Sequence, residues 1–444
     1  MYRIGSAVFP VGRVPSQGAG RWSCPIPPVM KFSKSFSTPD PVPAKGIEHA
    51  NKLMESGHMF RYNPLDLPDN YIQDNGSDEG TLYSEVSLFE KEFCDYTGHK
   101  YAVAVNSCGS AMFLALKAAG LPLGGKVFSN AFTFTAVPSA IVHAGGEPVY
   151  LDCNSDYTLD VEGFREKIKE NPDVHFLLLS YMRGHISDLD QIKRICDDND
   201  IILIEDCAHS LGVTWQGEND EQPTHIGHHG VAACFSAQSN KLINSGEGGV
   251  LVTNDEELAA YCILAAGSYE LLYKQHIAKP EDALFEDIKL QVPNFSLRMT
   301  NLTASVLRPQ LPELEEKIEA YAELYDGLEE KFDNIEHLET PNILPQVRRV
   351  GDSFQFNVIG LTEKQVEEFR DKARARGIEL QIFGHSDNAR YFRNWKYSFH
   401  KTPDLQQTED IITAACDFRI PLTFTKDDIQ VISDIIRELL AEFH

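Results

Sequence analysis

A chain of 444 residues is long enough for two or three domains, and its formal charge of −26 sets it against nucleic acid, which is gripped by clustered cations. Hydrophobic residues at 42% and charged residues at 24% give the balance of an ordinary globular protein. The acidity also disfavours anionic lipid surfaces, and no run approaches the roughly 18 consecutive apolar residues of a membrane span.

Residues 1–45 contain many Pro and Ser and read as an extension without structure of its own. Before Asp40 this stretch has no acid, while Arg3, Arg13, Arg21, Lys31 and Lys34 make it basic. Three readings stay open for residues 1–39: an organelle transit peptide, a disordered extension, or translation beginning at Met30. A large domain is expected over 46–310. It starts helical from Ile47, and Val86, Phe89 and Phe93 give a second helix over Ser84–Tyr96. Short apolar runs then alternate with helical stretches. The runs are Tyr101–Val105, Lys126–Ser129, Pro148–Leu151, Phe176–Ser180, Ile201–Glu205, Ala232–Ser236 and Gly249–Val252. Between them, Leu189, Ile192 and Ile195 mark a helix over Asp188–Asp198. The alternation predicts an α/β fold with a mostly parallel sheet covered on both faces.

From 311 to 444 the pattern predicts a connector helix and a smaller α+β domain. Leu311, Leu314, Ile318, Tyr321, Tyr325 and Leu328 carry the connector. Gln355–Ile359 and Ile378–Ile382 read as strands, and Val431, Ile432, Ile435, Ile436 and Leu439 place a last helix from about Asp427. The nine cysteines are scattered, and none forms a C-x-x-C pair, which indicates neither a metal site nor a disulfide framework and fits a reducing, cytoplasmic setting.

Four features fall at strand ends, where open parallel sheets bind ligands. Asn106-Ser107-Cys108-Gly109-Ser110-Ala111 opens a helix with small residues suited to an anion. Phe132-Thr133-Phe134-Thr135-Ala136 offers an aromatic face for a planar ring. The strand Ile201–Ile204 ends in Glu205 and Asp206, with His209 beyond; a buried carboxylate there needs a cationic partner. Finally Phe235-Ser236-Ala237-Gln238-Ser239-Asn240-Lys241 leads to Gly246-Glu247-Gly248-Gly249, where a lysine with a lowered pKa could form a Schiff base. Taken singly, each has a structural explanation: a helix cap, a core Phe, a salt-bridged acid, a solvated lysine. Their joint order and spacing shifts the odds.

Those motifs, with Arg419-Ile420-Pro421-Leu422 near the C-terminus, make the chain resemble the vitamin B6 enzymes of the sugar aminotransferase family named for DegT and StrS. The likeness runs from about Ser84 to Leu311. It implies fold type I of the pyridoxal 5′-phosphate (PLP) transferases, resembling aspartate aminotransferase, and a homodimer. By resemblance Lys241 holds the cofactor and moves the proton, and Asp206 pairs with the pyridine nitrogen. Gly109 and Ser110 cradle the phosphate with Ser236, Phe134 stacks on the ring, and His209 lies near its phenolic oxygen. Asn294 to Arg298 match a segment that reaches across the dimer interface. Here the chain departs from the family pattern, with Ser296 where Asn is common, and Asn294 becomes the candidate for the phosphate contact. Gly124-Gly125-Lys126 replaces the family's acidic turn.

The implied reaction takes an amino group from glutamate or glutamine to a keto-sugar, sugar phosphate or cyclitol. Lysine rather than histidine at position 241 favours transamination over the dehydration run by sibling enzymes. Tyr181-Met182-Arg183-Gly184-His185 and Gly267-Ser268-Tyr269-Glu270 resemble the subgroup that aminates a 3-oxo-glucose 6-phosphate, making Arg183, His185, Glu270 and Arg298 candidate substrate residues. Two other readings are a dehydratase or lyase of the same fold and a non-catalytic PLP-binding regulator. Neither nucleic acid nor membrane is an expected partner.

Overall fold

Seven short runs dominated by Val, Leu, Ile and Ala pair into one sheet in the computed structural model, which describes residues 30–72, 80–218 and 220–443. The strands are β1 (Tyr101–Val105), β2 (Lys126–Asn130), β3 (Glu147–Leu151), β4 (Phe176–Ser180), β5 (Ile202–Asp206), β6 (Ala232–Ser236) and β7 (Gly249–Thr253). Their order is β1-β7-β6-β5-β4-β2-β3. Only β7 runs against its neighbours.

Side chains alternate across the pleat, so each strand feeds two cores. Ala102 and Ala104 of β1 face the side packed by Phe89 and Phe93 of helix α1 (Glu85–Thr97). Val103 and Val105 face Met112 and Leu116 of helix α2 (Cys108–Ala118). Helix α3 (Leu189–Asp198) presents Leu189, Ile192 and Ile195 to the first core, and Asp188 caps it by accepting from Gln191 N at 2.9 Å.

After helix α4 (Leu314–Phe332), a four-stranded antiparallel sheet forms from β8 (Leu338–Glu339), β9 (Ser353–Val358), β10 (Gln381–Ile382) and β11 (Ala415–Arg419), in the order β8-β9-β11-β10. Phe332, Phe354, Phe356 and Phe418 fill its core with helix α5 (Lys426–Leu440). The strand expected over Ile378–Ile382 shrinks to its last two residues. Ile378 N instead bonds Ala373 O, and Leu380 N bonds Ile378 O, so the turn after the preceding helix consumes donors a ladder would need.

The N-terminal stretch expected to lack structure divides. Residues 1–29 lie outside the described residues, and with them most of the transit-peptide reading. Residues 30–43, by contrast, pack on the small sheet's layer. Phe32 and Phe36 are buried against Phe424 and Phe418, and Phe32 N donates to Arg376 O at 2.8 Å. Two aromatic side chains removed from water outweigh what the local Pro and Ser content suggests. A further cluster joins the two sheets: Phe132, Tyr157 and Met182 meet Phe383, Phe392 and Trp395. Among the described residues, no helix is long and apolar enough to cross a membrane.

Candidate active site

The ends of β1, β5 and β6 converge on a cavity of about 430 Å³, closed on one side by the segment between β10 and β11. On the β1 side, Ser107 caps α2, its Oγ accepting from Ser110 N at 3.1 Å. Gly109 borders the cavity, and a side chain there would meet only Ser107 Oγ, at 3.7 Å. The first turn of α2 therefore turns free amides and the positive end of its dipole toward open space, the arrangement that holds a phosphate. Gly249 sits against the same turn, and a Cβ at that position would collide with the backbone of Ser107 and Cys108. Ser110 does not border the cavity; its Oγ donates to Asn106 Oδ1 at 2.7 Å.

The two acids that end β5 are separated by the pleat. Glu205 points into the first core and is held there by Tyr181 Oη at 2.6 Å, His229 N at 2.8 Å and Gly230 N at 2.6 Å. Asp206 points into the cavity and is 5% exposed. Its donors are neutral: Ser180 Oγ at 2.7 Å, Ala208 N at 3.1 Å and, more weakly, Cys108 Sγ at 3.8 Å. Burial pushes its pKa above the ordinary carboxylate value. A cation placed beside it would reverse that shift.

Lys241 extends from the loop between β6 and β7. The loop is pinned by Ala237 N to Gly248 O at 2.9 Å and by Lys241 N to Gln238 O at 2.9 Å. Lys241 Nζ lies 3.0 Å from His209 Nε2. Burial, with Arg419 and Arg183 nearby, lowers the lysine pKa to about 7. Burial and the Lys241 charge hold His209 well below the usual histidine range, so its ring is neutral at physiological pH. Its buried Nδ1 meets no partner among the described residues. Phe134 stands on the wall with 39% of its surface exposed, and Ser236 and Glu247 complete the rim.

The other sequence candidates lie elsewhere. Arg183 is buried in an ion pair with Asp417 (side chains 2% and 1% exposed). His185 Nε2 lies 2.9 Å from Gln355 Oε1, and Gln355 Nε2 donates to Asp417 Oδ1 at 2.8 Å. This chain ties the end of β4 to β9 and β11, beside the main cavity rather than on its lining. Glu270 is exposed with a left-handed φ of 54°. Exposed Asn294 accepts from Ser296 N at 2.8 Å, and Arg298 Nη1 donates to Gly267 O at 2.9 Å. None of these three borders the cavity.

Two arginines that do border it went unassigned in the sequence. Arg419 sat in a recognised motif without a role, and its position at the end of a strand just before Pro421 was the signal for one. Arg390 lies in a loop with no motif around it, and nothing local marks it.

A seven-stranded sheet with one reversed strand, and an acid, a lysine and a helix N-terminus gathered at its strand ends, define a PLP-dependent transferase of fold type I. The structure of 3-amino-5-hydroxybenzoic acid synthase shares the fold, with a TM-score of 0.73 over 93% of this chain and 100% of that chain at 22% identity. The chain belongs to the DegT/DnrJ/EryC1/StrS aminotransferase family, whose model matches residues 71–437. It is 30% identical over 258 residues to the spore coat polysaccharide biosynthesis protein SpsC of Bacillus subtilis (58% of this chain, 64% of that one). It is also 30% identical over 302 residues to 3-amino-5-hydroxybenzoate synthase of Amycolatopsis mediterranei (66% and 72%). The match thus spans a little under two thirds of the first relative's length and a little over two thirds of the second's.

Members of this family use PLP. The residues present fit that group. Among the described residues Asp206 has no ion-pair partner, Gly109 leaves the α2 amides uncovered, and a pKa lowered to about 7 leaves about half of the Lys241 amines uncharged at pH 7.

Proposed function

We propose that the protein is an aminotransferase that moves an amino group from glutamate or glutamine to a keto-sugar, sugar phosphate or cyclitol. One observation carries this reading: Lys241 Nζ, with its pKa lowered to about 7, stands 3.0 Å from His209 Nε2 in the cavity whose floor is the buried Asp206, which has no ion-pair partner among the described residues. Bound there, the pyridine ring supplies an electron sink for charge developing at the amine-bearing carbon. Asp206 would hold a proton on the ring nitrogen and so maintain that sink. The Ser107–Gly109 turn, with Ser236, would hold the phosphate and so orient the ring. Phe134, on the cavity wall, would cover one face of the bound ring and exclude water from it.

Lys241 then holds or releases a proton at Nζ, and a pKa near 7 lets it do both without a large energetic bias. His209 positions that nitrogen. The same reading makes the molecule a cytoplasmic homodimer in which Asn294 of one protomer reaches the phosphate of the other. The exposure of Tyr269, Glu270, Leu271 and Asn294 in this protomer supports that surface as the contact. The test is to incubate the purified protein with L-glutamate, assay 2-oxoglutarate, and then offer phosphorylated and nucleotide-linked keto-sugars. Transfer to one class is the expected result, with Lys241→Ala losing both turnover and the visible absorbance of bound cofactor. An active Lys241→Ala enzyme refutes the assignment.

A further inference from the structure

Three arginines stand on or beside one wall of the cavity, and they differ in how their charge is met. Arg183 is committed to Asp417. Arg419 donates from Nη1 to Asn240 O at 2.9 Å and stands 3.8 Å from Asp352 Oδ2. Arg390 has no carboxylate within ion-pair distance among the described residues. Its backbone N, at 3.0 Å, and its Nη1, at 3.3 Å, donate to the same neutral acceptor, Asn388 Oδ1. Its buried Nε meets no acceptor.

The surroundings hold this guanidinium in place. It lies 5.5 Å from the centre of the Phe134 ring and 5.9 Å from that of Phe383. Asn388 Nδ2 bonds Ile382 O at 2.8 Å, and Trp395 Nε1 bonds Ala389 O at 2.9 Å. Tyr397 Oη donates to Thr135 O at 2.9 Å, fastening the 385–398 segment across the residue next to Phe134. Aromatic faces offset part of the cost of removing the charge from water but give no hydrogen bonds to the unused edge. Burial and the neighbouring Arg183 lower its pKa to about 9.

The cofactor's charged groups already have hosts, the α2 turn for the phosphate and Asp206 for the ring nitrogen. Arg390 is left over. Its Nη2 and the second hydrogen of Nη1 form the planar end of the guanidinium, which binds a carboxylate or phosphate in two parallel hydrogen bonds. We propose that Arg390 binds an anionic group of a substrate, a carboxylate or a phosphate, and thereby selects acidic substrates beside Phe134. The role deepens the aminotransferase reading and rests on it. The shared chemistry has two sources, the carboxylate of the amino donor and an acidic group on the acceptor.

The experiment uses PLP-loaded enzyme, wild type, Arg390→Lys and Arg390→Gln, titrated calorimetrically with glutarate and with inorganic phosphate. The two half-reactions are followed separately by cofactor absorbance. At least one probe should bind Arg390→Gln tenfold or more weakly, with Arg390→Lys intermediate and cofactor content unchanged. Loss confined to glutarate and to the KM for glutamate assigns the donor carboxylate, whereas loss confined to phosphate and to the acceptor half-reaction assigns an acidic acceptor. Equal binding of both probes to all three proteins, or no binding to the wild type, overturns the proposal. If wild type makes no 2-oxoglutarate while probe binding still tracks Arg390, the reaction assignment fails and the anion site stands.

Discussion

Replacing Lys241 with methionine in the apoenzyme measures how strongly the cavity discharges its amine. The pKa falls from an ordinary 10.5 to about 7, chiefly through burial and then through Arg419 and Arg183. That difference, 10.5 − 7 = 3.5 units, is about 5 kcal/mol at 1.36 kcal/mol per unit. At pH 7 about half the amines are neutral, against roughly one in three thousand for an unshifted lysine. The folded value lies below the unfolded one, so folding releases a proton between pH 7 and 10.5. Stability therefore rises with pH across that window, is free of the penalty above 10.5, and carries all of it below 7. Lys241→Met removes the penalty. The apoenzyme variant should exceed wild type by up to about 5 kcal/mol in acid, and the gain should vanish as pH climbs toward the unfolded lysine value. Urea denaturation of both apoproteins at roughly pH 6.5 and 9.5 reads this directly. A gap that does not change with pH, or that widens in alkali, refutes the argument.

Two further outcomes follow from packing. Glu90→Gln leaves Arg61, 1% exposed, without its charge partner, although Glu90 accepts from Arg61 Nη1 and Nη2 at 2.9 and 2.8 Å and from Ala104 N at 2.8 Å. It should cost about 3–5 kcal/mol in denaturant unfolding, and a loss under about 1 kcal/mol would show the pair is dispensable. Gly249→Ala drives a methyl into the Ser107–Cys108 backbone. PLP affinity should fall at least about tenfold, equivalent to 1.4 kcal/mol, with circular dichroism retained, and unchanged affinity in a cofactor titration would contradict the close approach.

Much of the large sheet was readable because its signals are local. All seven strands lie where apolar runs stand between helical patterns, with ends shifted by a residue or so. Asp206, His209, Lys241, Gly109, Phe134 and Ser236 could be named from short motifs, and the fold brings all six to one cavity. The resemblance singled out Asp206, but the local pattern of the strand does not by itself say which of Glu205 and Asp206 faces that cavity. The pleat decides it, and the register of the pleat depends on neighbours that pair from far along the chain. The N-terminal stretch misleads for a related reason. Phe32 and Phe36 look isolated among polar residues until Phe418 and Phe424, almost four hundred positions later, come alongside.

The sequence by itself determined the family, the alternation of strands and helices, and the set of small, acidic and basic residues that a PLP site requires. Those follow from patterns spanning a few residues, in which periodicity and backbone geometry act directly. Only the tertiary structure decided which charges are spent and which remain free. Arg183 meets Asp417 from 234 positions away, while Arg390, with no ion-paired acid among the described residues, is left facing the cavity. Charge pairing depends on distance in space and on burial, and neither is set until the two sheets have packed together.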